Sequence, residues 1–269
     1  MIYGYAKWVN KSTGMFFVAT QDKIENKYSH GYKRNEQHLR GDKVMLPVTI
    51  DSKPDYAYMS EYVREHYSAM LSKYRAYVAK RITKLGDYVE IPTLEEKECK
   101  SFGIADLFNI FPGKRLVASD STPGNHPFIG ALDNNNGVAR FVSDKNNSLD
   151  KNVLGVNYNG NGMVIGFYHP YACIFSDDVK RFHLKNHEDN AYVLLFMKVA
   201  ILQQKSKFGY LYKFNAGRIA NTKIMLPVTD DGGPDYEYME LYSKNMMIKK
   251  YEQYLNFINE HSLNFVGCL

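Results

Sequence analysis

The stretch KVMLPVTIDSKPDYAYMSEY, residues 43–62, returns without a gap as KIMLPVTDDGGPDYEYMELY, residues 223–242. The offset is 180 residues and 13 of the 20 positions are identical, so the chain carries an internal duplication. The same register continues upstream, pairing Lys27 with Lys207, Tyr32 with Tyr212, Lys33 with Lys213 and Asn35 with Asn215. Downstream it pairs Tyr74 with Tyr254. A repeated unit of about 180 residues is therefore expected, with its first copy entered partway through.

Each copy reads in the same order. Lys-(Val/Ile)-Met-Leu-Pro-Val is a short apolar run that predicts a strand, and its Pro confines it to an edge. Asp230-Asp-Gly-Gly is turn chemistry, and Pro234-Asp-Tyr predicts a helix start, with Pro in the first turn and Asp at the positive end of the dipole. Apolar residues then recur at helical spacing: Met59, Val63, Met70, Tyr74, Tyr77 and Arg81 or Ile82 in one copy, Leu241, Ile248, Leu255 and Ile258 in the other. Both helices should run to roughly 25–30 residues, against a usual length of about 11–12. Each presents a single apolar stripe, and an antiparallel coiled-coil-like pair would bury both.

Between the helices the character changes. After Leu85-Gly86, a natural helix stop, a polar connector leads to short apolar runs such as HPFIGAL, GVARFV, GMVIGFYHPYACIFS and DVKRFHLK, broken by Gly and Asn. These predict a twisted, mostly antiparallel sheet. Tyr192, Leu195, Val199 and Leu202 predict a helix over 191–204, and residues 11–24 are its counterpart, with Phe16 matching Phe196. The expected fold class is α+β: one complete β-rich domain flanked by two long helices packing as an antiparallel coiled-coil-like pair. The expected boundaries are 1–53 for the tail of a first domain, 54–86 for the first helix, 87–100 for a linker, 101–233 for the complete domain and 234–262 for the second helix.

Composition places the chain among ordinary folded proteins, with 45% hydrophobic and 23% charged residues. No apolar run approaches the roughly 20 residues of a membrane span, and the first residues lack a signal peptide's charge and apolar middle. No membrane association and a cytoplasmic location are expected. Cys99, Cys173 and Cys268 are far apart and outside any metal-binding spacing, which predicts reduced thiols and no metal site. Net charge is +5, mild in total but uneven. Residues 205–223 hold Lys205, Lys207, Lys213, Arg218 and Lys223 with no acidic residue, interleaved with Phe208, Tyr210, Tyr212 and Phe214. Cations mixed with aromatics suit phosphate neutralisation together with base or sugar contact.

The order of β-rich domain, basic loop with Asn, LP strand, PDY turn and long helix resembles the specificity subunits of type I restriction-modification enzymes and the related type IIB/IIG specificity chains. The carrying residues are Lys43-Val-Met-Leu-Pro47 and Pro54-Asp-Tyr-Ala-Tyr-Met59, their partners Lys223-Ile-Met-Leu-Pro227 and Pro234-Asp-Tyr-Glu-Tyr-Met239, and Phe128-Ile-Gly-Ala-Leu-Asp-Asn-Asn-Asn-Gly137. The resemblance implies a target recognition domain that reads a short half-site in double-stranded DNA. It also implies helices that set spacing and dock DNA-methyltransferase (modification) subunits. Family members usually carry two whole recognition domains, so a chain with one implies pairing with a second copy, a homodimer on a palindromic site. A rival expectation is an assembly partner or inhibitor of the restriction-modification complex that does not read DNA.

No catalytic motif is present: no methyltransferase Asn/Asp-Pro-Pro-aromatic, GxGxxG, GxxxxGK[ST] or HExxH. Asp55 with Glu61 or Glu65 falls at a helix start, where carboxylates serve the dipole, so no nuclease site is expected. The expectation is a DNA-binding chain without catalysis or cofactor. Asn134, Asn135, Asn136 and Arg140 around one turn, and Asn157, Asn159 and Asn161 around another, are the candidate base readers. Lys114, Arg115, Lys205, Lys207, Lys213 and Arg218 are the candidate phosphate contacts. Tyr168, His169 and Tyr171 are left open between stacking on a base and plugging the core.

Overall fold

A computed structural model describes residues 6–160 and 162–266 of the chain. They fall into two compact units, one of residues up to 87 together with those from 249 on, the other Tyr88–Ile248.

In the first unit, helix α1 (Lys11–Asp22) starts at a capping box: the Asn10 side chain accepts from the Thr13 amide, and the Thr13 hydroxyl accepts from the Asn10 amide. Trp8 stacks on Tyr56 at 4.8 Å and Phe16 meets Tyr62 edge-on at 5.5 Å. These contacts tie α1 and its entry segment to α3 (Tyr56–Leu85), which follows the short α2 (Glu36–Gly41). Helix α3 spans 30 residues. Its covered stripe runs through Met59, Val63, Tyr67, Leu71, Tyr74, Val78 and Leu85. Met70 and Tyr77, placed on that stripe by spacing alone, are 65% and 52% exposed, because a stripe stepping by four then three residues leaves both at its margin. The part of α7 (Tyr236–Val266) in this unit lies antiparallel to α3: Tyr74 meets Tyr254 at 5.1 Å and Tyr77 meets Tyr251 at 6.4 Å. Arg75 donates to Asn259 at 2.8 Å.

Among its described residues the second unit contains three sheets. Strands β1 (Cys99–Gly103) and β9 (Lys223–Pro227) pair antiparallel. After the single turn α4 (Ile104–Leu107), β2 (Phe108–Pro112) joins a four-stranded sheet in the order β2-β8-β5-β6. Its other members are β5 (Val153–Asn157), β6 (Gly166–His169) and β8 (Val179–Leu184), all antiparallel neighbours. The third sheet has the order β4-β3-β7, from β3 (Pro123–Ile129), β4 (Val138–Val142) and β7 (Ile174–Phe175), with β3 and β7 parallel. The α+β class follows from these elements. The main core gathers Phe108, Leu154, Phe182, Met197, Ile201 and Phe214, all under 3% exposed. Helix α5 (Ala191–Leu202) supplies Met197 and Ile201, and the short α6 (Ala216–Asn221) follows it. Gly155 in β5 is needed because a Cβ there would stand 2.9 Å from the Phe175 ring.

The duplication read in the sequence is also a structural one. Asn35 and Asn215 cap α2 and α6 through the amides three residues on, and Asp55 and Asp235 cap α3 and α7 in the same way. Phe16–Tyr62 and Phe196–Tyr242 have the same 5.5 Å separation, at 82° and 84°. The turn before each long helix closes through Thr49 or Thr229, with Ser52 at φ +59° where the second copy has Gly232 at φ +84°. Glycine adopts that left-handed conformation freely, whereas serine carries a Cβ there.

Two expectations are corrected. Pro54 and Pro234 stand before the capping Asp, each bridged to Val48 or Val228, because the Asp side chain must stay outside the helix to accept its first amides. Only the second KxMLP is a strand. Residues 43–47 form none, because a strand exists through its ladder, and Cys99–Gly103 supplies that ladder to residues 223–227 alone. Val48 is accordingly 60% exposed where Val228 is 3%.

Candidate nucleic-acid interface

One end of the four-stranded sheet collects four loops through hydrogen bonds. The segment after β2 is held against the β7–β8 turn by Gly113 donating to Val179 (3.1 Å) and Lys114 donating to Phe175 (2.8 Å). The β5–β6 loop joins them where the Tyr158 amide donates to Asp178 (3.0 Å). Asn157 donates its amide to the Leu132 carbonyl at 2.7 Å and so ties in the β3–β4 turn. In that turn Asn135 and Asn136 stand at φ +48° and +52° beside Gly137 at +74°. Asn tolerates this left-handed backbone better than most residues.

The candidates from sequence separate here by what they already hold. Asn134, Asn135, Asn136 and Lys114 are exposed. Asn157 is 1% exposed with its amide committed, and Asn159 donates to Asp178 at 2.9 Å. Arg140 lies 4.1 Å over the Phe128 ring and donates to the Leu116 carbonyl at 2.7 Å. These three brace the loops, and only exposed side chains are free to meet a base edge. Arg115 sits 3.7 Å from Asp177 and stays 75% exposed. Asn161 lies outside the described residues.

Lys205, Lys207 and Lys213 share a hairpin that follows α5, and Arg218 stands beside it on α6. A 3₁₀ turn at Lys205–Lys207 leads into a two-way bridge between Gly209 and Tyr212. The bridge turns Tyr210 and Leu211 outward at 84% and 94% exposure. Phe208 stacks on Tyr212 at 5.8 Å and touches Phe214 at 4.6 Å. Those two phenylalanines root the hairpin in the core that also holds Met163 and Val164 of the β5–β6 loop. The Arg218 guanidinium lies 3.7 Å over the Tyr212 ring and donates to the Lys213 carbonyl at 2.8 Å, so its position is set before any ligand arrives. Lys213 lies 5.8 Å from the Tyr210 ring and Lys207 donates to Gln204. No carboxylate is among these partners.

Sequence reasoning passed over Lys180 and Lys198. Each is half-buried above an aromatic ring, Lys180 at 4.4 Å from Tyr158 and Lys198 at 5.3 Å from Phe167. Burial pulls both amines below the ordinary lysine value, for Lys180 against the opposing pull of Asp177 and Asp178. A lone charge in the otherwise apolar run AYVLLFMKVAIL was the available signal for Lys198.

Of the three residues left open, His169 plugs the core. It is wholly buried between Tyr171 and Phe175, and burial holds its imidazole down at about 4. Tyr168 is hydrogen-bonded to Asn152 at 2.5 Å, while Tyr171 is 40% exposed. A separate polar cluster is paired internally, with only the Nε of Arg181 left without a partner among its described buried atoms. His183 contacts Asp189 at 2.6 Å and Asp150 at 3.0 Å, and Arg181 donates to Asp150 at 2.9 Å. Asp55 caps its helix and Glu61 pairs with Arg64 at 2.9 Å. Among the described residues no group of His, Cys, Asp and Glu is disposed to hold a metal, and no helix is long and apolar enough to cross a membrane.

Residues 96–256 match the family model described as the type I restriction modification DNA specificity domain. The chain is 42% identical over 238 residues to the Type II restriction enzyme BgcI specificity subunit of Heyndrickxia coagulans, covering 88% of this chain and 67% of that one. Among solved structures it is similar to the S subunit of the type I restriction-modification system from M. genitalium (TM-score 0.46, 14% identity, 77% of this chain and 56% of that one). It is also similar to the HsdS subunit from Thermoanaerobacter tengcongensis (TM-score 0.39, 12% identity, 94% and 62%). The chain thus spans less than two thirds of the length of either solved relative.

Proposed function

Because the chain belongs to the DNA specificity family of restriction-modification systems, we propose that it reads a short half-site in duplex DNA and docks modification subunits that carry the methyl-transfer chemistry. The supporting observation is the carboxylate-free hairpin of Lys205, Lys207 and Lys213, with Arg218 of α6 laid on it, rooted in the same core as the loop end of the sheet. In this reading the hairpin grips phosphates. The exposed Asn134, Asn135 and Asn136 turn meets base edges, where an Asn amide pairs bidentately with adenine. The chain itself contributes no catalytic group.

Two substitutions separate grip from reading. Lys207→Ala with Lys213→Ala is expected to weaken all duplexes about equally and to make the plot of log affinity against log salt shallower by about two. Asn135→Ala is expected to relax preference at one base pair by about 1–3 kcal/mol and to leave the salt slope alone. Fluorescence anisotropy over a duplex library at several salt concentrations measures both. Sequence-independent affinity in the unmodified chain, beside capture of a modification subunit, would instead favour an assembly partner that does not read DNA.

A further inference from the structure

We propose that the chain has a second phosphate-holding element, the hairpin of residues 27–34 in the first unit, preorganised by the buried carboxylate of Asp42. The proposal rests on the DNA-binding reading above and deepens it.

The two hairpins correspond step by step. A 3₁₀ turn at Glu25–Lys27 leads to a two-way bridge between Ser29 and Tyr32, as Lys205–Lys207 leads to Gly209 and Tyr212. Tyr28 stacks on Tyr32 at 5.7 Å with planes 6° apart, where Phe208 and Tyr212 stand at 5.8 Å and 12°. An arginine lies against each stacked pair from a different repeat position, Arg34 at 5.7 Å from the Tyr28 ring and Arg218, the counterpart of His38, on Tyr212. In both an Asn cap follows.

They differ in how the cations are held. Asp42 occupies the position of Thr222, and its side chain is only 4% exposed. Lys27 and Arg34 each reach it at 2.8 Å, and the Tyr28 hydroxyl donates to it. These hydrogen bonds, that of Lys27 foremost, hold its carboxyl down at about 2, so it stays charged. A carboxylate set behind two cations fixes their direction without cancelling them, and the trio keeps one net positive charge. Lys27 remains 52% exposed on the outer side. His30, Tyr32 and Lys33 are exposed beside it, and Tyr32 packs on His38 at 4.4 Å. A cavity of about 460 Å³ opens next to these cations, and its lining includes Lys33, Arg34, Tyr28 and Gln21 together with the carboxylate of Asp22. Phosphate oxygens are the ligand chemistry that such a rigid, outward-facing group of cations and aromatic rings meets best.

The test uses the full chain and a fluorescent 30-bp duplex. Lys27→Ala with Lys33→Ala is expected to bind about tenfold more weakly near 0.1 M salt, with a slope shallower by about two. Lys33→Ala with His30→Ala, which leaves the Asp42 network whole, should make it shallower by about one. Photo-cross-linking with iodouracil duplexes should recover peptides from residues 24–38 as well as from residues 206–214. An unchanged slope in both first-hairpin variants, with cross-links confined to residues 206–214, would overturn this proposal and leave the DNA-binding reading standing. Unchanged slopes in these variants and in the Lys207/Lys213 variant would overturn both.

Discussion

A chain carrying Phe214→Ala is expected to lose about 3–5 kcal/mol of folding stability, the usual cost of deleting a buried phenylalanine ring. Phe214 is wholly buried, touches Phe208 at 4.6 Å and shares its core with Met197 and Ile201 of α5. The ring fills space that neighbouring helices and strands cannot close on without shifting, so both the lost transfer energy and the residual cavity count. The same ring anchors the hairpin that bears Lys207 and Lys213. Phe214→Leu, which retains much of the volume, should therefore cost less and preserve the salt slope, whereas the alanine chain should bind weakly even where it stays folded. Urea midpoints of the two variants measure the first effect and anisotropy the second. A loss under about 1 kcal/mol in the alanine chain would contradict the packing described.

The second large effect is electrostatic. His183 is held between Asp189 and Asp150, and the hydrogen bond to Asp189, ahead of that to Asp150, raises its imidazole from an ordinary 6.5 to about 9, against the cost of burial. A group whose folded value lies above its unfolded one stabilises the fold fully below the unfolded value and loses that contribution as pH rises through the folded one. Stability is therefore expected to fall between about pH 6.5 and pH 9. The fall is about 1–2 kcal/mol once solvent screening of this partly exposed group is allowed for. His183→Gln should flatten this dependence. Asp150→Ala should lessen it only in part, since Asp189 remains, and should cost about 3 kcal/mol, because Arg181, 8% exposed, would keep its charge and lose its carboxylate. Thermal melts from pH 6 to pH 9 decide it; a dependence as steep in His183→Gln as in the unmodified chain would show that another group titrates.

The pattern of what was legible follows the range of the interactions. The starts of α3 and α7 were legible from Pro-Asp-Tyr, since Asp55 and Asp235 act on amides three residues on, but their place as caps outside the helix came from the structure, as did the caps at Asn35 and Asn215. The long helices were visible because periodicity sums over many turns, although Met70 and Tyr77 showed that spacing alone misplaces the edge of a stripe. Among the candidate site residues Lys205 and Lys207 on the hairpin are exposed and Lys213 is half-buried; the charge run and the aromatic interleaving that marked them are local features. Asn157, Asn159 and Arg140 could not be distinguished in advance from Asn134 and Asn135. Their partners Leu132, Asp178 and Leu116 lie 19 to 25 residues away, on other loops of the sheet.

By itself the sequence determined that one unit is written twice at an offset of 180, that each copy ends in a long helix, and that positive charge gathers with aromatics before the second. These are properties of neighbouring residues and of repetition. Only the tertiary structure decided which KxMLP becomes a strand, since the ladder comes from Cys99–Gly103, more than a hundred residues away. It also decided that position 214 of the repeat is core while its counterpart, Arg34, hydrogen-bonds to Asp42. The physical reason is the same in both cases: burial and pairing belong to whatever the fold brings alongside, and the repeated letters carry no record of that neighbour.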